Sequence, residues 1–494
     1  MTSETAAGWV ADGSGRRSFG NCIGGKILPA ADGQTIENVD PATGDVLGRF
    51  AESGAEDVER AVAAAEDALP AWSALAPMAR AAIVDKAADL IVERLDGIAR
   101  DLTREEGKTL GEARGEALNA VAKLRFAVSE ASHMNGETLA SAEPALHLYT
   151  AREPLGVVAV ISPWNFPFST PASKVGIGLV TGNTMVMKPA SLTPLSSVHL
   201  MGAFADAGVP PGVLNLVMGS GRNVGSPLVS HPRVCGVSFT GSTAVGIGIA
   251  RESASHLAKT QLELGGKNPL VVMDDADLEL AARAAVDGAF MSCGQKCTAT
   301  SRIIVHQDIK RELLDKILER TRAITVGNGL DPASYMGPLV DASQLESVAN
   351  WIDIGRSEGA RLLLGGERLT DGDYGKGFFM RPAVFDDVAP EMRIAREEIF
   401  GPVLSVLTVS SFEEALEVAN ASDYGLSSAI FTRSLRHAQE FARRIQAGVV
   451  KINGQTPGNA PNAPFGGRKS SGINISLRPI DFFTELKSVY QRIG

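Results

Sequence analysis

Two side chains stand where their types suit chemistry better than packing. Cys297 follows Gly294-Gln295-Lys296 at a helix-to-strand junction, and Glu263 precedes Gly265-Gly266 at the end of an apolar strand. A cysteine thiolate is a strong nucleophile, and a carboxylate at hydrogen-bonding reach of water is a general base. Each residue also has a plain reading. Free cysteine often serves as a small core hydrophobe, and Glu263 could pair with Lys267 or a backbone amide, since an acid at a strand end is costly unless solvated or paired. Two such residues at strand ends of adjoining α/β domains would meet in a cleft, which is where these folds carry their sites.

The chain has four cysteines, Cys22, Cys235, Cys293 and Cys297. So few in so long a chain build no disulfide framework, and a reducing compartment is expected. Cys293 and Cys297 are spaced as two ligands on one helical turn would be, but no CxxC or paired-histidine motif accompanies them, so no metal is expected.

The elements that must position these residues form two alternating regions. In the first, 157–162, 184–188, 213–218, 234–240 and 259–264 read as strands, and 171–180, 194–207, 223–230 and 243–256 as helices. Repeated βα units imply a parallel sheet covered on both faces. A second α/β region begins at Pro269, with strands at 270–273, 302–305, 361–364, 404–408 and 448–452 and a helix at 278–291. Ahead of both, 55–106 reads as helical, with Ile83, Ala87, Leu90, Ile91, Leu95, Ile98 and Leu102 forming one apolar stripe. Residues 138–154 read as an extended hairpin standing off the body.

Two glycine-rich turns in the first region, Gly219-Ser-Gly221-Arg-Asn-Val-Gly225 and Gly241-Ser242-Thr-Ala-Val-Gly246, lead from strand to helix. Such turns let a backbone approach phosphate at a helix N-terminus. Neither matches GxGxxG, so a tight structural turn and a phosphate site both remain open.

Composition bounds the rest. At 494 residues the chain exceeds one compact core, and 44% hydrophobic with 21% charged residues is ordinary for a folded globular protein. The formal net charge of -10 disfavours nucleic acid or an anionic membrane as partner. Residues 1–17 lack the pattern of a signal peptide and read as a loose tail, and no apolar run is long enough to span a bilayer. A cytoplasmic location is expected.

Several motifs then occur in order. Pro163-Trp164-Asn165-Phe166-Pro167, Lys188-Pro189-Ala190, Phe239-Thr240-Gly241-Ser242, Leu262-Glu263-Leu264-Gly265-Gly266-Lys267, Gly294-Gln295-Lys296-Cys297 and Glu397-Glu398-Ile399-Phe400-Gly401-Pro402 together resemble the aldehyde dehydrogenase superfamily. The closing segment Pro464-Phe465-Gly466-Gly467-Arg468-Lys469-Ser470-Ser471-Gly472 is similar too. The resemblance runs from about Asn21 to Tyr490.

This resemblance implies that Cys297 is the nucleophile, activated by an electropositive site that stabilises its thiolate. It implies that the Asn165 amide and the Cys297 backbone N–H stabilise the alkoxide, and that Glu263 activates the water that hydrolyses a thioester. For a nicotinamide cofactor it implies Lys188 and Glu398 at the riboses and Phe400 at the nicotinamide side. Gly241, Ser242 and Gly246 fall near the pyrophosphate with the Gly221 and Gly225 turn, and Trp164 is wall rather than chemistry. The implied fold is α/β: a Rossmann-like parallel-sheet cofactor domain (1–137 and 157–262), a second α/β catalytic domain (263–460) and a small β oligomerisation element (138–156 and 473–494). A homodimer or homotetramer is implied, since relatives extend one subunit's sheet with a neighbour's strands.

Two positions depart from common patterns. Where strongly NAD-preferring relatives carry Glu, three residues after Lys188, this chain has Ser191, whose hydroxyl can donate to a 2'-phosphate; NADP is favoured over NAD. Where relatives selective for succinic semialdehyde carry Arg, six residues after Pro167, it has Ser173. The adjacent Lys174 belongs to a family-wide structural position. The stretch from Gly294 to Arg302 is similar to bacterial α-ketoglutaric semialdehyde dehydrogenases. The rival readings are a coenzyme A-acylating enzyme of the same fold, whose relatives usually lack an acid at Glu263, and a non-enzymatic binding protein on this scaffold.

Overall fold

The computed structural model describes residues 10–11, 17–474 and 478–492. Most of the expected N-terminal tail and parts of the expected C-terminal element (475–477 and 493–494) lie outside them.

The strand Val157–Ile161 is buried along its whole length, the continuous apolar run of a strand covered on both faces. It sits at the middle of an eight-stranded sheet. Thr184–Lys188 and Leu214–Leu216 follow on one side, Gly236–Thr240 and Lys259–Glu263 on the other, all parallel. Antiparallel strands close both edges: Asn21–Ile23 with Lys26–Leu28, and Gly472–Ile473. The chain leaves Val157–Ile161 in one direction and returns to build the other half, so the strand order reverses between Val157–Ile161 and Gly236–Thr240. That reversal opens a crevice at the carboxyl ends of these two strands, where doubly wound sheets bind ligands.

The second sheet has seven strands in the order Arg361–Leu364, Ala383–Asp386, Val403–Val409, Thr300–His306, Asn268–Val272, Ser427–Phe431 and Val449–Ile452. All its pairs are parallel except the first. The strands Ala383–Asp386 and Ser427–Phe431 are additions to the expected set. A four-stranded sheet built from Val10–Ala11, Arg17–Phe19, Thr35–Val39 and Val46–Ala51 is also new relative to the sequence reading.

The helical region 55–106 is three helices, Ala55–Ser73, Pro77–Glu93 and Leu95–Glu106. Pro77 starts the second at the position where its missing N–H costs nothing. The next helix, Leu110–Glu130, begins in a capping box: Thr109 Oγ1 accepts from the Glu112 N–H, and Glu112 Oε2 accepts from the Thr109 N–H. Its Ala113, Ala117, Ala120, Leu124 and Ala127 are buried, which lets it pack closely on Ser169–Val180. The expected hairpin is Thr138–Leu139 paired with Leu146–Pro154, and Thr484–Arg492 adds antiparallel from Thr484↔Pro154 to Arg492↔Leu146.

Candidate active site

Glu263 ends its strand directly opposite Thr240 on one side and Gly472 on the other. Thr240 Oγ1 donates to its Oε2 at 3.1 Å. The closing segment clamps the following turn. Leu264 N–H donates to the Ser471 carbonyl at 3.0 Å, and Ser471 Oγ donates to the Gly265 carbonyl at 2.6 Å.

Cys297 lies between a tight turn and the strand Thr300–His306. Ser292 and Cys293 both adopt left-handed backbone (φ 53° and 54°) to make that turn. Asn268 Nδ2 fixes the Cys297 carbonyl at 2.8 Å. Cys22, Cys235, Cys293 and Cys297 are all free.

Asn165 leaves the carboxyl end of Val157–Ile161 and is buried. One N–H of its amide donates to the Gln295 carbonyl at 2.9 Å, tying the loop after the central strand of the first sheet to the turn before Cys297. The Asn165 carbonyl accepts from Lys108 Nζ at 2.7 Å, and Lys108 also pairs with Glu116 at 2.7 Å. The other oxygen of Glu116 accepts from the Phe168 and Ser169 N–H groups, each at 3.0 Å. Lys108 and Glu116 therefore brace the Asn165 loop. Sequence reasoning missed both, and no local spacing marks them.

Two cavities meet at this point. One, of about 920 Å³, runs along the crevice between the central strands and is lined by Trp164, Lys188, Gly221, Gly225, Gly241, Ser242, Glu398 and Phe400 among others. The other, of about 410 Å³, is lined by Glu263, Ser173, Lys174 and residues of Leu110–Glu130. Pro163, Asn165, Thr240 and Cys297 line both.

The larger cavity fits a dinucleotide. Gly221 opens onto it with nothing within 4 Å of where a Cβ would stand, and a Cβ on Gly225 would meet the Lys188 stem at 3.8 Å. The wide helical turn Gly221–Gly225, where a regular helix was expected, leads into the short helix Ser226–Val229. Lys188 Nζ donates to the Pro189 carbonyl at 2.7 Å; burial pulls its pKa down to about 8, with Glu52 opposing. Glu398 accepts from the Gly266 N–H at 2.9 Å, and burial pushes its pKa up to about 7. Phe400 holds a left-handed backbone (φ 58°) and meets Trp164 edge-on, ring centroids 5.2 Å apart.

Three residues expected to act in the site stand in other contacts. Gly246 is absent from the cleft wall. It is buried under its helix, where a Cβ would strike the Leu264 side chain, so it serves helix-to-strand packing. Ser191 is not on the wall either: its Oγ donates to the Gly219 carbonyl at 3.1 Å. Nor is the pKa of the Cys297 thiol lowered in the resting site. Burial, then the charges of Glu398 and Glu263, push the Cys297 thiol up to about 12, while the N–H groups of Cys297 and Thr298 pull the other way. At neutral pH the resting thiol is protonated.

Comparison with known proteins accords with this geometry. The model of the aldehyde dehydrogenase family matches residues 28–489. An α-ketoglutaric semialdehyde dehydrogenase of Bacillus subtilis is 44% identical over 479 residues, 96% of this chain and 98% of the relative. Betaine aldehyde dehydrogenase of Staphylococcus aureus in complex with NAD+ superposes with a TM-score of 0.94 at 34% identity, covering 96% of this chain and 94% of that one. A 3,6-anhydro-L-galactose dehydrogenase in complex with NADP superposes with the same TM-score, 0.94, at 37% identity, covering 96% and 99%.

Proposed function

Because the chain belongs to the aldehyde dehydrogenase family, we propose that it oxidises an aldehyde to the free carboxylic acid through a thioester on Cys297, which water activated by Glu263 then hydrolyses. The observation that carries this reading is the position of Cys297 on a wall common to both cavities. A nucleophile there reaches an aldehyde from the smaller cavity while facing the dinucleotide cleft.

The chemistry assigns each group one task. The Cys297 thiol gives up its proton to solvent water, and the thiolate adds to the aldehyde carbon and leaves an alkoxide. The free N–H of the Asn165 amide and the Cys297 backbone N–H suit that oxygen, and losing one such donor typically costs roughly a hundredfold or more in rate. A nicotinamide held in the larger cavity would supply the hydride acceptor, and loss of hydride from that carbon re-forms the carbonyl as a thioester. Glu263 takes a proton from water, the hydroxide adds to the thioester carbon, and the thiolate leaves. Lys188 and Glu398 at the riboses, and Gly221, Gly225, Gly241 and Ser242 along the cleft, would hold the dinucleotide.

NADP is favoured over NAD because the position after Lys188-Pro189-Ala190 carries no carboxylate to repel a 2'-phosphate. The substrate reading is α-ketoglutaric semialdehyde or another small aldehyde, supported by the identity to the Bacillus enzyme. Thr484–Arg492 is an edge strand that exposes Leu486 and Tyr490, which supports a homodimer or homotetramer joined through this sheet.

The test is a spectrophotometric panel of aldehydes and semialdehydes with NAD and with NADP, run on the wild type and on Cys297→Ala. Reduced cofactor should form with the wild type alone and need no coenzyme A. Turnover that requires coenzyme A, or persists in the variant, overturns the mechanism.

A further inference from the structure

The smaller cavity is walled by one face of Leu110–Glu130, where Glu112, Glu116, Asn119, Lys123 and Phe126 recur at helical spacing, and by Ser169–Val180 with Thr170, Ser173 and Lys174. Three carboxylates face it, those of Glu112, Glu116 and Glu263, and three lysines, Lys123, Lys174 and Lys296; no arginine does. Five of these six charges are already engaged. Glu116 is held by Lys108 and two backbone amides. Glu112 accepts from Thr109 and Ser292 and lies 3.9 Å from Lys296. Glu263 accepts from Thr240. Lys174 donates to Ser238 Oγ at 2.8 Å, and Ser238 in turn to Gln261 at 2.8 Å.

Lys123 is the exception. No hydrogen bond or ion pair engages its ammonium among the described residues, although it stands within the electrostatic reach of Glu263, Glu116 and Cys297. A half-buried cation that faces a cavity without a partner loses part of its hydration uncompensated, and burial pulls its pKa down. A ligand carboxylate would relieve that cost.

We propose that Lys123 is a specificity-determining residue that pairs with the carboxylate of an oxo-acid substrate whose aldehyde end lies at Cys297. This rests on the aldehyde oxidation proposed above and names the chemical class it acts on. The Ser173 hydroxyl donates to the Thr170 carbonyl at 2.8 Å and supplies no charge from the neighbouring helix, so the task falls to the helix Leu110–Glu130. A neutral aldehyde of equal length would fill the same cavity but leave Lys123 unpaired. Discrimination by an ionic partner on the cavity wall exceeds what a pocket gains from apolar fit alone.

The experiment compares kcat/KM for a four- or five-carbon semialdehyde bearing a terminal carboxylate with that for the straight-chain aldehyde of the same length. Wild type, Lys123→Met and Lys123→Arg are each checked for an unchanged melting temperature. The carboxylate preference should fall ten- to a hundredfold in Lys123→Met, chiefly through KM, and be largely kept in Lys123→Arg. Equal loss for both aldehydes would mean that Lys123 acts on Cys297 or Glu263, and unchanged kcat/KM for both that it acts on neither the site nor the substrate; either overturns the proposal. So does a Lys123→Met protein that does not fold while Lys123→Arg folds and loses the preference. A wild type that oxidises neutral aldehydes and shows no carboxylate preference sinks this inference but leaves aldehyde oxidation standing. A wild type that oxidises no aldehyde with either cofactor sinks both.

Discussion

Lys108 Nζ donates to the backbone carbonyl of Asn165 at 2.7 Å, from a position where the lysine is almost wholly buried. The same ammonium pairs with Glu116, which holds the first N–H groups of the helix after Asn165. The amide assigned to the oxyanion is therefore set by a buried charge pair distant in sequence, Lys108 in the connection before Leu110–Glu130 and Glu116 on that helix. Lys108→Met should leave Glu116 unpaired in the interior, and breaking a buried pair costs about 3–5 kcal/mol. The expected outcome is a lower melting temperature together with a fall in kcat of about tenfold or more, because misplacing an oxyanion donor weakens transition-state contacts. Thermal unfolding and steady-state kinetics on the same preparation check it. A destabilised protein with unchanged kcat would separate the brace from the oxyanion site.

The state of Cys297 sets the pH dependence of its alkylation. Its pKa is raised, to about 12, so the thiolate is a minor species at neutral pH and grows about tenfold for each pH unit below that value. Iodoacetamide should label Cys297 in the cofactor-free enzyme at a rate that climbs steadily from pH 7 to pH 10, roughly, without a plateau. Cys22 and Cys293 are buried and raised as well, and should react more slowly for want of access. Peptide mapping after timed labelling distinguishes the sites. A plateau near neutrality would mean that the resting site already holds a thiolate.

Glu263 should matter after hydride transfer rather than before it. Glu263→Gln keeps the size of the side chain and can still meet Thr240, but it cannot take a proton from water. Rapid mixing should give a burst of reduced cofactor followed by slow turnover, with the acyl adduct visible by mass spectrometry. Wild-type steady-state turnover would assign the base elsewhere.

Much of the scaffold was legible because local signals and tertiary context agree. The strand Thr184–Lys188 and the helix Pro194–Ala207 match the sequence reading at both ends. An apolar run stops at Pro189, and the helix is bounded by Pro194 at its start and the left-handed Gly208 at its end. The strands Ala383–Asp386 and Ser427–Phe431 fall outside the sequence reading, and it is their pairing on both sides within the second sheet that makes them regular. Within the site, Cys297, Glu263 and Asn165 were visible as motifs. The partners that tune them were not, since Lys108 reaches the site from the connection before Leu110–Glu130 and Lys123 from that helix itself, and nothing in their immediate sequence reports the contact. The same gap explains the misjudged electrostatics. Glu398 raises the Cys297 pKa from another strand connection, a proximity that spacing along the chain does not encode.

The choice between NAD and NADP turns on a short contact. Ser191 Oγ donates to the Gly219 carbonyl, fastening the loop after Lys188 to the first glycine turn. In Ser191→Glu the carboxylate cannot donate to that carbonyl, and like partial charges would drive it away from Gly219. It would then stand close to the ribose end of the cleft, beside Lys188 and the turn of Gly221 and Gly225. A carboxylate there repels a 2'-phosphate and accepts hydrogen bonds from a free 2'-hydroxyl. The expected result is a rise in KM for NADP relative to NAD of about ten- to a hundredfold, equivalent to roughly 1.4–2.7 kcal/mol of discrimination, with kcat little changed because the nicotinamide end is untouched. Measuring both Michaelis constants in wild type and variant tests it. An unchanged cofactor ratio would mean that Ser191 only fastens the loop and that selectivity is set elsewhere along the adenosine end.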